Sequence, residues 1–208
     1  MTNRFIAIAG NIGVGKSTLT RLLAERLGWL PFYEPEADNP YLADFYADMR
    51  RWSFHSQVFF LANRVRQHKQ LLERDEPVVL DRSVYEDAEV FARNLHLRGE
   101  MSARDWHTYE SLYRSMSSLL RPPDLIVYLR ASVPMLMSRI AQRGRDYERV
   151  ISADYLASLN TLYDEWASQF DACAVLTIET DALDFVLRIS DLDTLLTRIQ
   201  THLTGARP

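Results

Sequence analysis

The residues with the most specific chemistry are the eight from Gly10 to Ser17, GNIGVGKS, which fit the phosphate-loop spacing G-x-x-x-x-G-K-[ST]. Glycines at 10, 13 and 15 let the backbone turn tightly and aim several N–H groups inward as an anion nest. A predicted helix follows, and its N-terminal N–H groups and dipole favour negative charge. The expected triphosphate cradle is therefore Gly10, Asn11, Ile12, Gly13, Val14, Gly15, Lys16, Ser17 and Thr18. Lys16 can reach the β- and γ-phosphates, and the Ser17 hydroxyl can ligate Mg²⁺.

Phosphate loops serve many reactions, and the rest of the chain narrows them. A guanine-reading N-K-x-D loop is absent. Where ATPase motors usually carry paired acids, the chain reads VVLDRS (78–83), with Asp81 followed directly by Arg82. A metal-facing carboxylate beside a phosphate-facing cation suits a small kinase, in which the moving phosphoryl group needs cations on several sides. The segment SRIAQRGRDYER (138–149) adds Arg139, Arg143, Arg145 and Arg149, which outnumber its two acids in a chain of net charge −4. Arg139 and Arg143 share one helix face, and Gly144 can end that helix. An Arg-rich lid over about 139–150 would close on the triphosphate of ATP and exclude water.

Short apolar runs alternate with longer amphipathic ones and are expected to position these residues. Strands are predicted at 4–10, 30–34, 76–83, 123–130 and 173–180, and a helix at 17–28 stopped by Gly28. This alternation indicates an α/β domain with a five-stranded parallel sheet flanked by helices. In such sheets ligands sit beyond the carboxyl ends of the strands, where Gly10, Glu34 and Asp81 all fall. Residues 41–74 and 84–120, the latter broken near Gly99, read as helical insertions that would cover the active edge or form a partner surface. DLDTLLTRIQTHL near the C-terminus reads as an amphipathic closing helix, and 181–208 carries no recognisable motif.

The 208 residues are expected to form a single domain, 1–208. The acidic balance points away from nucleic-acid polymers and anionic membranes, and no apolar run is long enough to span a bilayer or act as a signal peptide. One cysteine, Cys173, excludes an internal disulfide and fits a reducing, cytoplasmic setting.

Taken together, GNIGVGKST, the Glu34–Pro35 step, YADMRRWSFHSQVFFLANR (46–64), DRSVYEDAEVF (81–91), RGRDYE (143–148) and YLASLNTLYDEW (155–166) resemble the deoxynucleoside kinase family, in its non-viral branch. The resemblance implies a P-loop kinase fold and transfer of the ATP γ-phosphoryl group to a deoxynucleoside 5′-hydroxyl. By that resemblance Glu34 is the general base, Arg82 steadies it and meets the transferring phosphate, and Asp81, where most relatives have Glu, contributes to Mg²⁺ binding through water. Gln57 and Arg64 resemble the base-reading pair, with Asp87 as the partner of Arg64 and Phe91 packing on the base. Tyr46 and Glu148 resemble the pair that hydrogen-bonds the sugar 3′-hydroxyl.

Three features depart from the family pattern: Tyr147 replaces a lid acid, the segment PEADNPYL after Glu34, which contains Asn39, lacks the aromatic that several animal members place there, and Phe60 lies one turn after Gln57. The whole is most similar to bacterial members, which implies a purine deoxynucleoside, deoxyadenosine or deoxyguanosine. Relatives are mostly homodimers, and helices 53–73 and 84–98 could supply that surface. Two other readings share the loop: a thymidylate-kinase-type monophosphate kinase, whose phosphorylated acceptor Glu34 would repel, and a non-catalytic nucleotide-binding regulator.

Overall fold

A computed structural model describes residues 4–33 and 39–205. Glu34, the expected base, lies outside the described residues. Five parallel strands, β1 (Phe5–Gly10), β2 (Leu30–Phe32), β3 (Val78–Asp81), β4 (Leu125–Arg130) and β5 (Val175–Glu179), form one sheet in the order β2-β3-β1-β4-β5. All five predicted strands are present, each trimmed to its most apolar part. β1 is buried along its whole length because helices cover both faces of the central strands, and so it reads as an unbroken apolar run. At one edge, β5 alternates between buried and more exposed residues.

Helix α1 (Lys16–Leu27) follows the loop and is closed by Gly28, whose N–H bonds the Ala24 carbonyl. Then come α2 (Leu42–Ala47) and α3 (Met49–Leu72), the latter started by Asp48, whose carboxylate accepts from the Arg51 N–H. After β3 a continuous helical rod runs through α4 (Val84–Glu86), a π turn (Asp87–Ala92) and α5 (Arg93–Leu97). The chain breaks around Gly99, as expected, before α6 (Ala103–Ser117). Ser102, Ser132 and Ser152 start α6, α7 (Val133–Arg143) and α8 (Ala153–Gln169) by accepting backbone N–H groups three residues on. The last helix, α9 (Ile189–Gly205), buries Leu192, Leu195, Ile199 and Leu203 as one stripe.

The register decides what meets at the top of the sheet. β1 pairs with β3 so that Ile8 lies opposite Asp81, which brings the start of the phosphate loop beside Arg82 and Ser83. The Arg82 N–H bonds the Ile8 carbonyl at 3.0 Å. α3 packs against the π turn and α6, forming the helical layer beside that edge.

Candidate active site

The loop after β1 wraps as its glycines require. Gly10 has φ of 141°, and a Cβ there would lie 2.5 Å from the Leu129 carbonyl oxygen of the neighbouring strand, so only glycine fits. Lys16 is buried, and its Nζ donates to the Gly10 and Asn11 carbonyls at 2.9 and 3.0 Å, which draws the ammonium back across the nest. Asn11 fastens the loop to α8 through the Leu156 carbonyl and the Asn160 side chain, at 3.0 and 2.8 Å.

A cleft of about 760 Å³ opens over this loop, within the size range of small-molecule sites. Ile12 through Thr18, Arg82, Arg139, Arg143 and Arg145 all line it. Its far wall is the loop after β5, with Asp181, Asp184, Phe185 and Arg188. Sequence reasoning assigned nothing to that segment, although the rule that ligands sit beyond strand ends flags it. Arg139 is not an outstretched lid residue. Its guanidinium bonds the Val14 carbonyl at 3.0 Å and the Thr180 hydroxyl and carbonyl at 3.1 and 3.0 Å, tying α7 to both loops.

The Ser17 hydroxyl donates to Asp81 Oδ2 at 2.5 Å. A hydroxyl and a carboxylate in contact beside the phosphate loop are hard oxygen donors of the kind Mg²⁺ takes, with phosphate oxygens and water able to complete its shell. The donor set therefore fits that ion, and Ser17 and Asp81 are the residues that would hold it.

A second, smaller cavity lies between α2, α3, the π turn and the lid. Tyr46, Gln57, Phe60, Arg82, Asp87, Phe91, Tyr147, Glu148 and Tyr155 contribute to its wall. Arg64 lies behind it, its Nε 3.0 Å from Asp87 Oδ2 and its Nη1 3.2 Å from the Asp81 carbonyl. Both members of this ion pair are buried. Gln57 is also buried, and no hydrogen bond ties its amide to another described residue, so donor and acceptor face the cavity. Asn39, by contrast, is bonded to the Ser56 hydroxyl and the Tyr41 N–H and takes no part in this wall.

The Arg-rich segment 139–148 contributes to both cavities. α7 ends at Gly144, and a 3₁₀ turn (Asp146–Glu148) swings Glu148 inward to 3% exposure. Arg143 grips the Glu148 carboxylate with two N–H groups, Nε donating to Oε2 at 3.0 Å, and Arg145 approaches Oε1 at 3.5 Å. Tyr147 stacks on Tyr46, ring centroids 5.8 Å apart. At the other side of the junction, Arg82 adopts φ of 70°, the one positive φ outside glycine among the described residues. Such a conformation costs on the order of 1–3 kcal/mol and persists where surrounding contacts impose it. Its guanidinium lies 4.3 Å from the Phe91 ring centroid and donates to the Tyr163 hydroxyl.

Sequence reasoning did not reach Tyr163, Tyr155 or Glu86. Ser83-x-x-Glu86 carries the local signature of a capping box, which accounts for the Ser83 contact, but the contacts of Glu86 with Gly10 and Tyr163, 76 and 77 residues away, are not written in spacing.

The model of the family described as deoxynucleoside kinase matches residues 6–204. The chain is 40% identical over 199 residues to a deoxyadenosine/deoxycytidine kinase of Bacillus subtilis, covering 95% of this chain and 92% of that one. It is 35% identical over 210 residues to a deoxyguanosine kinase of the same organism, covering 97% of each. Among solved structures, deoxyadenosine kinase from M. mycoides with bound dCTP superposes with a TM-score of 0.83 at 29% identity, over 95% of this chain and 99% of that one. With a phosphate loop, a D-R-S turn and an Arg-rich segment beside one cleft, and relatives of this similarity along nearly its whole length, the chain belongs to the deoxynucleoside kinase family.

Proposed function

We propose that this protein transfers the γ-phosphoryl group of ATP to the 5′-hydroxyl of a purine deoxynucleoside. The observation that carries the reading is that Arg82 and Ile12 lie in the walls of both cavities, so that a donor in the larger meets an acceptor in the smaller at Arg82. The deoxynucleoside 5′-oxygen attacks the γ-phosphorus, the bond from that phosphorus to the β–γ bridging oxygen breaks, and ADP leaves. Glu34 receives the hydroxyl proton. Lys16, Arg82 and the lid residues Arg143 and Arg145 spread the transition-state charge, and closure of the lid on the bound nucleotide would exclude water. Mg²⁺, held by Ser17 and Asp81, would neutralise phosphate oxygens when bound. Gln57 would read the base edge, with Arg64 and Asp87 behind it and Phe91 against its face. Tyr46 and Glu148 would take the sugar.

The purine preference is supported by relatives named for deoxyguanosine and deoxyadenosine, one of them named for deoxycytidine as well. A homodimer would form through α3 and the α4–α5 rod, where partly buried Phe59 and exposed Leu97 lie, and light scattering would test it. We expect the protein to work in the cytoplasm.

The test is phosphoryl transfer from ATP and Mg²⁺ to the four deoxynucleosides, their ribo counterparts and dTMP, run beside Glu34→Gln. Monophosphate formed from deoxyadenosine or deoxyguanosine, and lost in the variant, is the expected result. Turnover of dTMP alone, or ATP binding with no transfer, would refute it.

A further inference from the structure

Between the phosphate loop and the D-R-S turn lies a carboxylate that the proposed reaction does not use. Glu86 is fully buried, and three donors converge on it. The Ser83 N–H reaches Oε1 at 2.8 Å, while the Gly10 N–H and the Tyr163 hydroxyl reach Oε2 at 3.2 and 2.6 Å. Such bonds are what make a buried charge tolerable. Gly10 ends β1 and Ser83 follows β3, so one carboxylate clasps the two strand ends that flank the phosphoryl path.

Tyr163 reaches this point from α8 and is itself fully buried. Its ring stacks on Tyr128 at 5.5 Å and meets Phe91 edge-on at 6.0 Å, which leaves the hydroxyl little freedom. The phenol has one proton and two acceptors within reach, Glu86 Oε2 and the Gly10 carbonyl at 2.8 Å. Lys16 already donates to that carbonyl, and a charged acceptor at the shorter distance is the stronger one. Burial and the neighbouring Glu86 charge push the phenol's pKa well above 10, so the proton stays on oxygen. Its lone pair then faces Arg82 Nη1–H at 3.2 Å. The chain of donation runs from Arg82 to Tyr163 to Glu86.

We propose that Tyr163 is a positioning residue whose hydroxyl, oriented by Glu86, holds the Arg82 guanidinium at the junction of the two cavities for phosphoryl transfer. This inference rests on the role proposed above for Arg82.

Steady-state kinetics of Tyr163→Phe, Arg82→Lys and the double variant test it, with Arg82→Ala as the check on the underlying role. Tyr163→Phe keeps the ring and is expected to lower kcat about 10- to 100-fold, the cost of a slightly misplaced group, while both KM values stay within about threefold. In the Arg82→Lys background the same change should lower kcat by less than about twofold, because the hydroxyl acts through the guanidinium. A near-normal kcat in Tyr163→Phe, or an equal loss in both backgrounds, overturns the proposal. Full activity in Arg82→Ala would remove the role of Arg82 and this inference with it. Should Tyr163→Phe melt below the assay temperature, Glu86→Gln probes the relay from its other end, and an unchanged kcat there overturns it as well.

Discussion

Replacing Asp87 with Asn deletes the carboxylate charge 3.0 Å from Arg64 Nε while keeping the side chain's shape. Both residues are nearly inaccessible, 3% and 5% exposed, so water cannot make good the loss. Removing one partner of such a pair costs about 3–5 kcal/mol, because the other charge stays buried without it. The Asn oxygen still accepts one neutral hydrogen bond, and Arg64 keeps the Asp81 carbonyl, so the lower figure is the better expectation. For a protein of this size about 3 kcal/mol lowers the melting temperature by about 6–12 °C. A second variant separates stability from chemistry. Arg64→Met with Asp87→Leu replaces the pair with apolar groups, which is often neutral for stability, but removes the charged pair from beside the base-reading cavity. Thermal melts and deoxynucleoside kcat/KM should therefore part company: melting near wild type in the double variant, turnover lost. A melting temperature within about 2 °C of wild type for Asp87→Asn would refute the energetic argument. Normal turnover in the double variant would refute the base-reading role.

Gly10→Ala drives a methyl group into the Leu129 carbonyl, and overpacking with a positive φ should cost about 2–5 kcal/mol in denaturant melts; Gly144→Ala meets nothing within 4 Å and should cost about 1–2 kcal/mol, from its φ alone. Buried His68 donates from Nε2 to the Arg121 carbonyl, and its Nδ1 has no partner among the described residues, so desolvation holds its pKa below 6.5. Between that depressed value and 6.5 the unfolded chain binds more protons; the contribution is complete above pH 6.5 and falls by up to about 1.4 kcal/mol per unit as the pH drops through that window, a slope His68→Gln should flatten in melts from pH 7 to 5. Tyr147→Ala removes the ring stacked on Tyr46, and an aromatic pair of about 0.5–1.5 kcal/mol predicts a deoxynucleoside KM raised about 2- to 12-fold with the KM for ATP unchanged.

Much of this site is legible in the sequence because it is local. The phosphate loop is eight consecutive residues whose glycines set the backbone and whose helix follows at once, so spacing alone encodes the geometry. Strand ends could be read from apolar runs, and a parallel sheet carries Gly10 and Asp81 to one edge. Gln57 and Arg64 lie two turns apart on α3, which periodicity also reveals. Glu34 rests on the Glu-Pro step and the family resemblance.

The tertiary structure decided what depends on packing between distant segments. The π turn gives the helix that carries Asp87 and Phe91 a wider local winding than its apolar pattern implied. Arg139, expected in the lid, is held by two loops that only the fold brings together. Glu86 is 77 residues from Tyr163 along the chain, and Tyr163 is 153 from Gly10, yet the three share hydrogen bonds. Sequence spacing governs neighbours on one helix or strand. Contacts across the sheet arise where burying apolar faces forces elements together, and there the buried polar groups must find partners in whatever the fold supplies.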